Sequence, residues 1–529
     1  MDLHSAGHRR GVVCAPHFAA VEAGRQILAE GGNALEAMVA MAASIAAVYP
    51  HMNHIGGDGF WLIRLPSGRV HAIMAAGPAG LQAKPELYRD HETIPTRGPL
   101  AALTVPGAIG GWMLALEAAK ATDGRLPLDM LLAPAIAQAR DGYAVTRSQA
   151  RLTEAHLAEL KDVSGFAAAF LIDGKPPAVG AKLKQAAFAE TLDHLARAGL
   201  DDFYRGDVGR EIAADLDRIG SPVTRHDLSR YRASFAEPLR IDLPSGTVYN
   251  TDAPTQGVVS LMILALFARL NVTEAEGFDH IHGLVEATKR ALRVRDRVVT
   301  DPNYLAHALD RCLEERFVAG EAMKIDRRKA ARWPLAANAG DTVWMGAADS
   351  SGLVVSYIQS LYWEFGSGCV LPTTGVLMQN RGASFSLVAG ALNYLAPGRL
   401  PFHTLNPALA VLKDSRIMAY GCMGGDGQPQ TQGAVFTRHV LFGEPLLDAL
   451  DRPRWVLGRT WGAARTALRL ESRVDGNVVD RLAAAGHDVE VLPEPYSDVM
   501  GHAGAAVAHP DSTCEAAHDP RADGGAAGV

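Results

Sequence analysis

Two apolar runs separated by a short polar break constrain this chain more than any other feature. Thr342 to Ala348 and Leu353 to Ser360 read as strands, and Asp349-Ser350-Ser351-Gly352 between them reads as a turn. That pattern predicts a β-hairpin. A two- or three-residue loop sets Thr342 opposite Gln359 or Ser360 at the open end of the hairpin. Both strands are apolar on both faces, as expected of a sheet covered by helices on each side. A threonine at a strand start is ordinarily there because its β-branched side chain suits pleated backbone. A second hydroxyl opposite it makes a chemical role worth weighing.

The rest of the composition bounds that role. The chain has 529 residues, 48% hydrophobic and 21% charged, which describes a globular protein with ample core. Its net charge of -7 favours neither nucleic acid nor an anionic membrane as a partner. The start, MDLHSAGHRRG, has no apolar run behind its basic residues and does not read as a signal peptide. The longest helix-like apolar run, Ala37 to Tyr49, is too short to span a bilayer and reads as a buried helix. Cys14, Cys312, Cys369, Cys422 and Cys514 are scattered, without CxxC or CxxH spacing, so neither a disulfide framework nor a zinc site is expected. The cytoplasm is the default compartment.

Along the chain, helices are expected over Phe18 to Glu30 and, after a Gly31-Gly32-Asn33 break, over Ala34 to Tyr49; Gly59 to Leu65 reads as a strand. Gly111 to about Phe235 is mainly helical, for example Leu128 to Asp141 and Lys184 to Gly199. Helices also read over Asp252 to Leu270 and Asp279 to Thr300, around a Pro254-Thr255-Gln256-Gly257 turn. Val318 to Asp341 carries Lys324, Arg327, Arg328, Lys329 and Arg332 without apolar periodicity, as an exposed loop does. Strands dominate from there to about Ala434, and weak structure is expected at the end of the small, polar tail from Pro510 to Val529. No internal repeat is visible. Thr342 thus stands where an exposed loop enters a buried strand.

A threonine hydroxyl becomes a competent nucleophile when a base takes its proton, and an N-terminal threonine can use its own α-amine. A free α-amine has a reference pKa near 8, so much of it is available as base near neutral pH. Because Thr342 is internal, this chemistry requires cleavage between Asp341 and Thr342.

Gly340 onward, with FGSG (Phe365 to Gly368) and TGVLMQNRGASFS (Thr374 to Ser386), resembles the γ-glutamyltransferase family of self-processing N-terminal-nucleophile hydrolases. Further blocks agree in order: GGNALEAMVA from Gly31, VYPHMNHIGGDGF from Val48, VPGAIGGW from Val105, RVRDRVVTDP from Arg293, FHTLNPAL from Phe402, MGGDGQPQ from Met423 and DPRADGGAAG from Asp519. The resemblance spans nearly the whole chain. It implies an α+β fold, a four-layer αββα sandwich cut into residues 1–341 and 342–529, whose fragments stay together as a heterodimer, alone or as a dimer of heterodimers. It implies Thr342 as nucleophile and Ser360 as its supporting hydroxyl. Gly424 and Gly425 match the glycines whose backbone N–H groups form the oxyanion hole, and glycine lets backbone donors approach closely. No cofactor or metal is implied.

The chain departs from the family where substrate is held. Met74, four residues before Pro78, stands where an arginine is expected for the substrate α-carboxylate. No acid lies between Asn380 and Ser386, where an aspartate for the α-amine should fall near Ser384. Arg381 replaces a neutral amide, His403-Thr404 replaces a serine pair, and Tyr362 replaces an asparagine. An amide with an anionic group and no required α-amine fits this set, with Arg381, Tyr362, His403 and Thr404 as substrate-binding candidates. The blocks MGGDGQPQ, FHTLNPAL and NRG also resemble the oxamate amidohydrolase branch of the family, whose substrate carries its carboxylate directly on the scissile carbonyl.

Other readings are weaker. A γ-glutamyl hydrolase or transferase acting on glutathione-like compounds is the main alternative, and a processed but inactive homologue is a third. A nucleotide site at MGGDGQ lacks the Gly-Lys-Ser/Thr that a phosphate loop needs. His51 and His54 could suggest a metal pair, but buried structural histidines suit them better. A basic run such as Lys324 to Arg332 is ordinarily solvated surface, and Arg381 could instead brace its loop.

Overall fold

The computed structural model describes residues 2–333, 341–458 and 467–529. Among these, two seven-stranded sheets organise the molecule. The first runs, in spatial order, Gly525–Gly528, Gly11–Ala15, Asp341–Asp349, Val354–Tyr362, Asp58–Arg64, Val70–Ala75 and Ser234–Ala236. The second runs His4–His8, Cys514–His518, Ala503–Ala508, Ile417–Cys422, Ala408–Leu412, Gly246–Asn250 and Leu239–Leu243. Neighbouring strands in both sheets are antiparallel. Helices Phe18–Ala29, Ala34–Val48 and Ala108–Lys120 cover the outer face of the first sheet. Helices Gly257–Ala268 and Gln428–Phe436 cover the second, with Phe278–Val298 packed on them. The result is the α+β sandwich, helix–sheet–sheet–helix, that the family resemblance implies.

One expectation needs correction. The hairpin sheet is not flanked by helices on both sides. Its outer face packs on Ala34–Val48, whereas Phe60, Leu62, Trp344 and Ile358 on its inner face meet Leu409, Ala419 and Ala506 of the second sheet. An apolar strand face is satisfied equally by a helix or a sheet, so the pattern cannot tell the two covers apart.

Most elements fall where the pattern puts them. Ala34–Val48 is buried at every residue, and the Asn33 break is its N-cap, with Glu36 closing a capping box. The expected strand is Asp58–Arg64, and the expected helices are Leu128–Asp141 and Ala186–Ala198. Two boundaries shift. The helix expected from Asp252 begins only at Gly257, because Pro254 and the turn behind it break the pattern, and the strand region ends at Cys422, after which Gln428–Phe436 is helical. The tail is not weakly structured: Cys514–His518 and Gly525–Gly528 pair into the two sheets. Their small residues are poor strand formers alone, and the pairing overrides that preference. The loop expected from Val318 is helical as far as Ala322, after which Lys324, Arg327, Arg328, Lys329 and Arg332 are exposed; residues 334–340 lie outside the described residues. Nor is the chain simply helix-rich before residue 341 and strand-rich after it, since both sheets draw strands from each side of that position.

All five cysteines are buried and unpaired. No helix among the described residues is long and apolar enough to cross a membrane.

Candidate active site

The hairpin register carries Thr342 to the site. Trp344 pairs with Ile358 and Val343 with Gln359, and the register then slips so that Asp341 pairs with Tyr362. Thr342 sits at this bulge, 1% exposed, and its Oγ1 donates to Ser360 Oγ at 3.2 Å. Bulges re-aim side chains at sheet ends in this way. Ser360 Oγ also accepts the Tyr362 N–H at 2.8 Å. Tyr362 itself has φ +85°, a conformation that non-glycine residues adopt at a cost and that is concentrated at functional sites.

On the next strand, Asp58 is the cross-strand partner of Ser360. Thr342, Ser360 and Asp58 therefore form a row across three strands, at the end of the space between the sheets. Asp58 is fully buried, and its Oδ1 accepts the N–H groups of Gly77 at 3.1 Å and Gly107 at 3.0 Å. Among the described residues no donor meets its Oδ2 in hydrogen-bonding geometry, although the Gln379 side chain lies close enough to the carboxyl to favour its charged form. Burial pushes this carboxyl up to about 7, against the pull of Arg381 and the two amides.

The loop after the hairpin brings Arg381 over this row. Its guanidinium carbon lies 4.0 Å from the centre of the Tyr362 ring, a cation–π stack. Nη1 donates to Thr404 Oγ1 at 3.4 Å, while among the described residues Nε and Nη2 have no partner although the residue is only 1% exposed. That Nε/Nη2 edge is the fork that grips a carboxylate with two hydrogen bonds. Burial lowers Arg381 to about 10, so it stays cationic at neutral pH. His403 Nε2 stands 3.5 Å from Asp58 Oδ2. Burial and the Arg381 charge hold His403 well below its ordinary range, so this is a carboxyl beside a neutral imidazole and not an ion pair. Arg381, Tyr362, His403 and Thr404 thus converge. Met74 lies on a neighbouring strand opposite Phe60, packed against the inter-sheet core.

The second sheet supplies the Gly424–Gly425 turn. Trp344 packs where side chains at Gly421 and Gly504 would otherwise stand, and Gly346 lies against Ala506, the partner of Ala419. Gly424 has φ +114°, open to glycine and strained for other residues. Among the described residues, neither the Gly424 nor the Gly425 N–H has an acceptor. Three side chains fix this turn. Asp426 receives Arg295 through both carboxylate oxygens, at 2.6 and 3.3 Å, and Arg295 Nη1 also reaches Gln256 Oε1 at 2.8 Å. Gln256 Nε2 in turn bonds the carbonyls of Thr404 at 2.7 Å and Gly425 at 3.0 Å, tying the two loops together.

Asp58, Gln256, Arg295 and Asp426 were not singled out by sequence reasoning, although each lies in a recognisable block. The acid that the Asn380 to Ser386 loop lacks enters instead from a strand far away in sequence, so the site is not without one. His51 and His54 do not converge on a common point: His51 contacts Ser148 at 3.2 Å and His54 accepts the Leu377 N–H at 3.1 Å. Burial lowers both imidazoles, as structural histidines require. One other cluster, His282, Glu286 and His487, has metal-like spacing. Its polar atoms are already engaged: Lys289 Nζ lies 2.7 Å from Glu286 Oε1 and 3.4 Å from His487 Nδ1, and the two imidazoles meet at 2.9 Å.

Known proteins match this chain over nearly its full length. The family model described as gamma-glutamyltranspeptidase matches residues 20–529. The chain is 50% identical to an oxamate amidohydrolase proenzyme of Klebsiella pneumoniae, covering 99% of this chain and 100% of that one. It is 37% identical to the glutathione hydrolase-like YwrD proenzyme of Bacillus subtilis, over 98% of each. Among solved structures, a cephalosporin acylase from Bacillus halodurans superposes with a TM-score of 0.91 at 30% identity, covering 99% of this chain and 97% of that one.

Proposed function

We propose a specific reaction for this chain, which belongs to the gamma-glutamyltranspeptidase family and is a hydrolase of the N-terminal-nucleophile type: hydrolysis of a small acidic amide, oxamate being the best fit. Water first cleaves the peptide bond between Asp341 and Thr342 and frees the Thr342 α-amine. The amine then takes the Oγ1 proton, Oγ1 attacks the amide carbonyl, and ammonia leaves with that proton as an ester forms on Thr342. A second water hydrolyses the ester, so oxamate and water yield oxalate and ammonium. Ser360 orients the attacking hydroxyl, and the free N–H groups of Gly424 and Gly425 stabilise the oxyanion. The observation that carries the acidic substrate is the buried Nε/Nη2 edge of Arg381, unpartnered above Tyr362.

The 50% identical oxamate amidohydrolase proenzyme supports the substrate. The fragments, interleaved through both sheets, remain a heterodimer. Five buried unpaired thiols suit a reducing compartment, and the cytoplasm is proposed. A γ-glutamyl substrate is the second reading. It is favoured by Asp58, which could receive an amine, and by the YwrD-like relative. Ammonia release from oxamate, with γ-glutamyl anilide alongside, decides between them. Oxamate should be turned over and the anilide poorly used; efficient anilide turnover without oxamate hydrolysis would transfer the assignment to the second reading.

A further inference from the structure

The buried polar atoms left without partners in this site belong together: Arg381 Nε and Nη2, Asp58 Oδ2, both nitrogens of His403 and Gln379 Oε1. Leaving such atoms unpaired is costly, so water or a polar ligand must meet them. The cation is the natural anchor for a carboxylate. Yet Asp58 stands in the same cluster, and an ionised Asp58 beside a docked carboxylate would set two negative charges against one positive charge.

We propose that Asp58 is a specificity residue of this site that takes up a proton when a small carboxylate docks on Arg381, so that the site accepts an anionic amide only with Asp58 neutral. The proposal rests on the acidic-amide reading above. The geometry suits the role: Oδ1 is tied by two backbone amides, while Oδ2, 3.5 Å from His403 Nε2, is the oxygen that can carry the proton. Among the described residues, the other charged or titratable groups that act on Asp58 or feel its charge are Arg381, His403, Tyr204, Tyr231 and Tyr357. Burial holds His403 neutral and raises all three tyrosines far above the neutral range, while Arg381 remains cationic to about 10. Asp58, raised to about 7, is therefore the group in this set that titrates between pH 6 and 9.

The sign follows. A protonated Asp58 is needed with the anion, so anion affinity is retained below about 7 and is lost above it by about tenfold per pH unit. The Thr342 amine also titrates, but it acts on charged and neutral substrates alike and cancels in their ratio. The kcat/KM of oxamate divided by that of oxamide, its neutral counterpart, should fall at least about tenfold between pH 7.5 and 9 in the wild type. In Asp58→Asn the ratio should be flat, since an amide keeps the Gly77 and Gly107 contacts but carries no acid. Binding of oxalate, measured by calorimetry at pH 8 in two buffers of different ionisation enthalpy, gives a readout independent of turnover. The wild type should take up about one proton more than Asp58→Asn. A flat wild-type ratio, or equal proton uptake by the two proteins, would overturn the proposal. If oxamate is not hydrolysed while oxalate binds with Asp58-dependent uptake, the reaction assignment fails and this inference stands. If oxalate does not bind the wild type, both fail.

Discussion

In the proposed reaction Arg381 is the residue on which substrate charge is read, and its surroundings make the prediction specific. It is buried, stacked on Tyr362 and joined to Thr404 by one of its nitrogens, which leaves a two-donor edge for a ligand. Arg381→Met keeps much of the bulk and loses the charge. A hydrogen bond to a charged group is worth about 1.5–3 kcal/mol, so kcat/KM for oxamate should fall roughly 10²-fold or more. Oxamide should lose much less, and cleavage at Thr342 should survive. Equal losses on both amides would make Arg381 a loop brace. Arg381 could be picked out in the sequence because a cation replaced an expected neutral amide. Asp58 could not, because one acid inside His54-Ile55-Gly56-Gly57-Asp58-Gly59 looks like a turn residue. Its meaning comes from pairing with Ser360, some 300 residues further along the chain.

At the level of elements, the hairpin was legible and its cover was not. Pairing across a tight turn is local, so two apolar runs and a polar turn suffice to set Thr342 by Ser360. What lies on the faces of that hairpin depends on distant strands, as does the ordering of Cys514–His518 and Gly525–Gly528. The contact between the sheets is close at Gly421. A Cβ there would collide with Trp344 Cδ1, and the indole is held by a 3.0 Å bond from Nε1 to Ser356 Oγ. Gly421→Ala should therefore push the sheets apart, costing about 1–3 kcal/mol as overpacked cores do. Because Gly421 lies just before the Met423–Gly425 turn, activity should fall as well. A thermal melting midpoint equal to that of the wild type would contradict this packing.

For the whole molecule, the proposed cut between Asp341 and Thr342 would divide the chain without dividing the fold. Gly11–Ala15 and Asp58–Arg64 flank the hairpin in one sheet, and Gly246–Asn250 pairs with Ala408–Leu412 in the other. Separating the two parts would expose the strand edges and the inter-sheet core, so the cut protein should hold together in native solution. Intact mass under denaturing conditions tests the central claim most directly. The account predicts two fragments from the wild-type protein, the smaller beginning at Thr342, and a single chain without activity from Thr342→Ala. A wild-type protein that hydrolyses its amide substrate while remaining one uncut chain would contradict it.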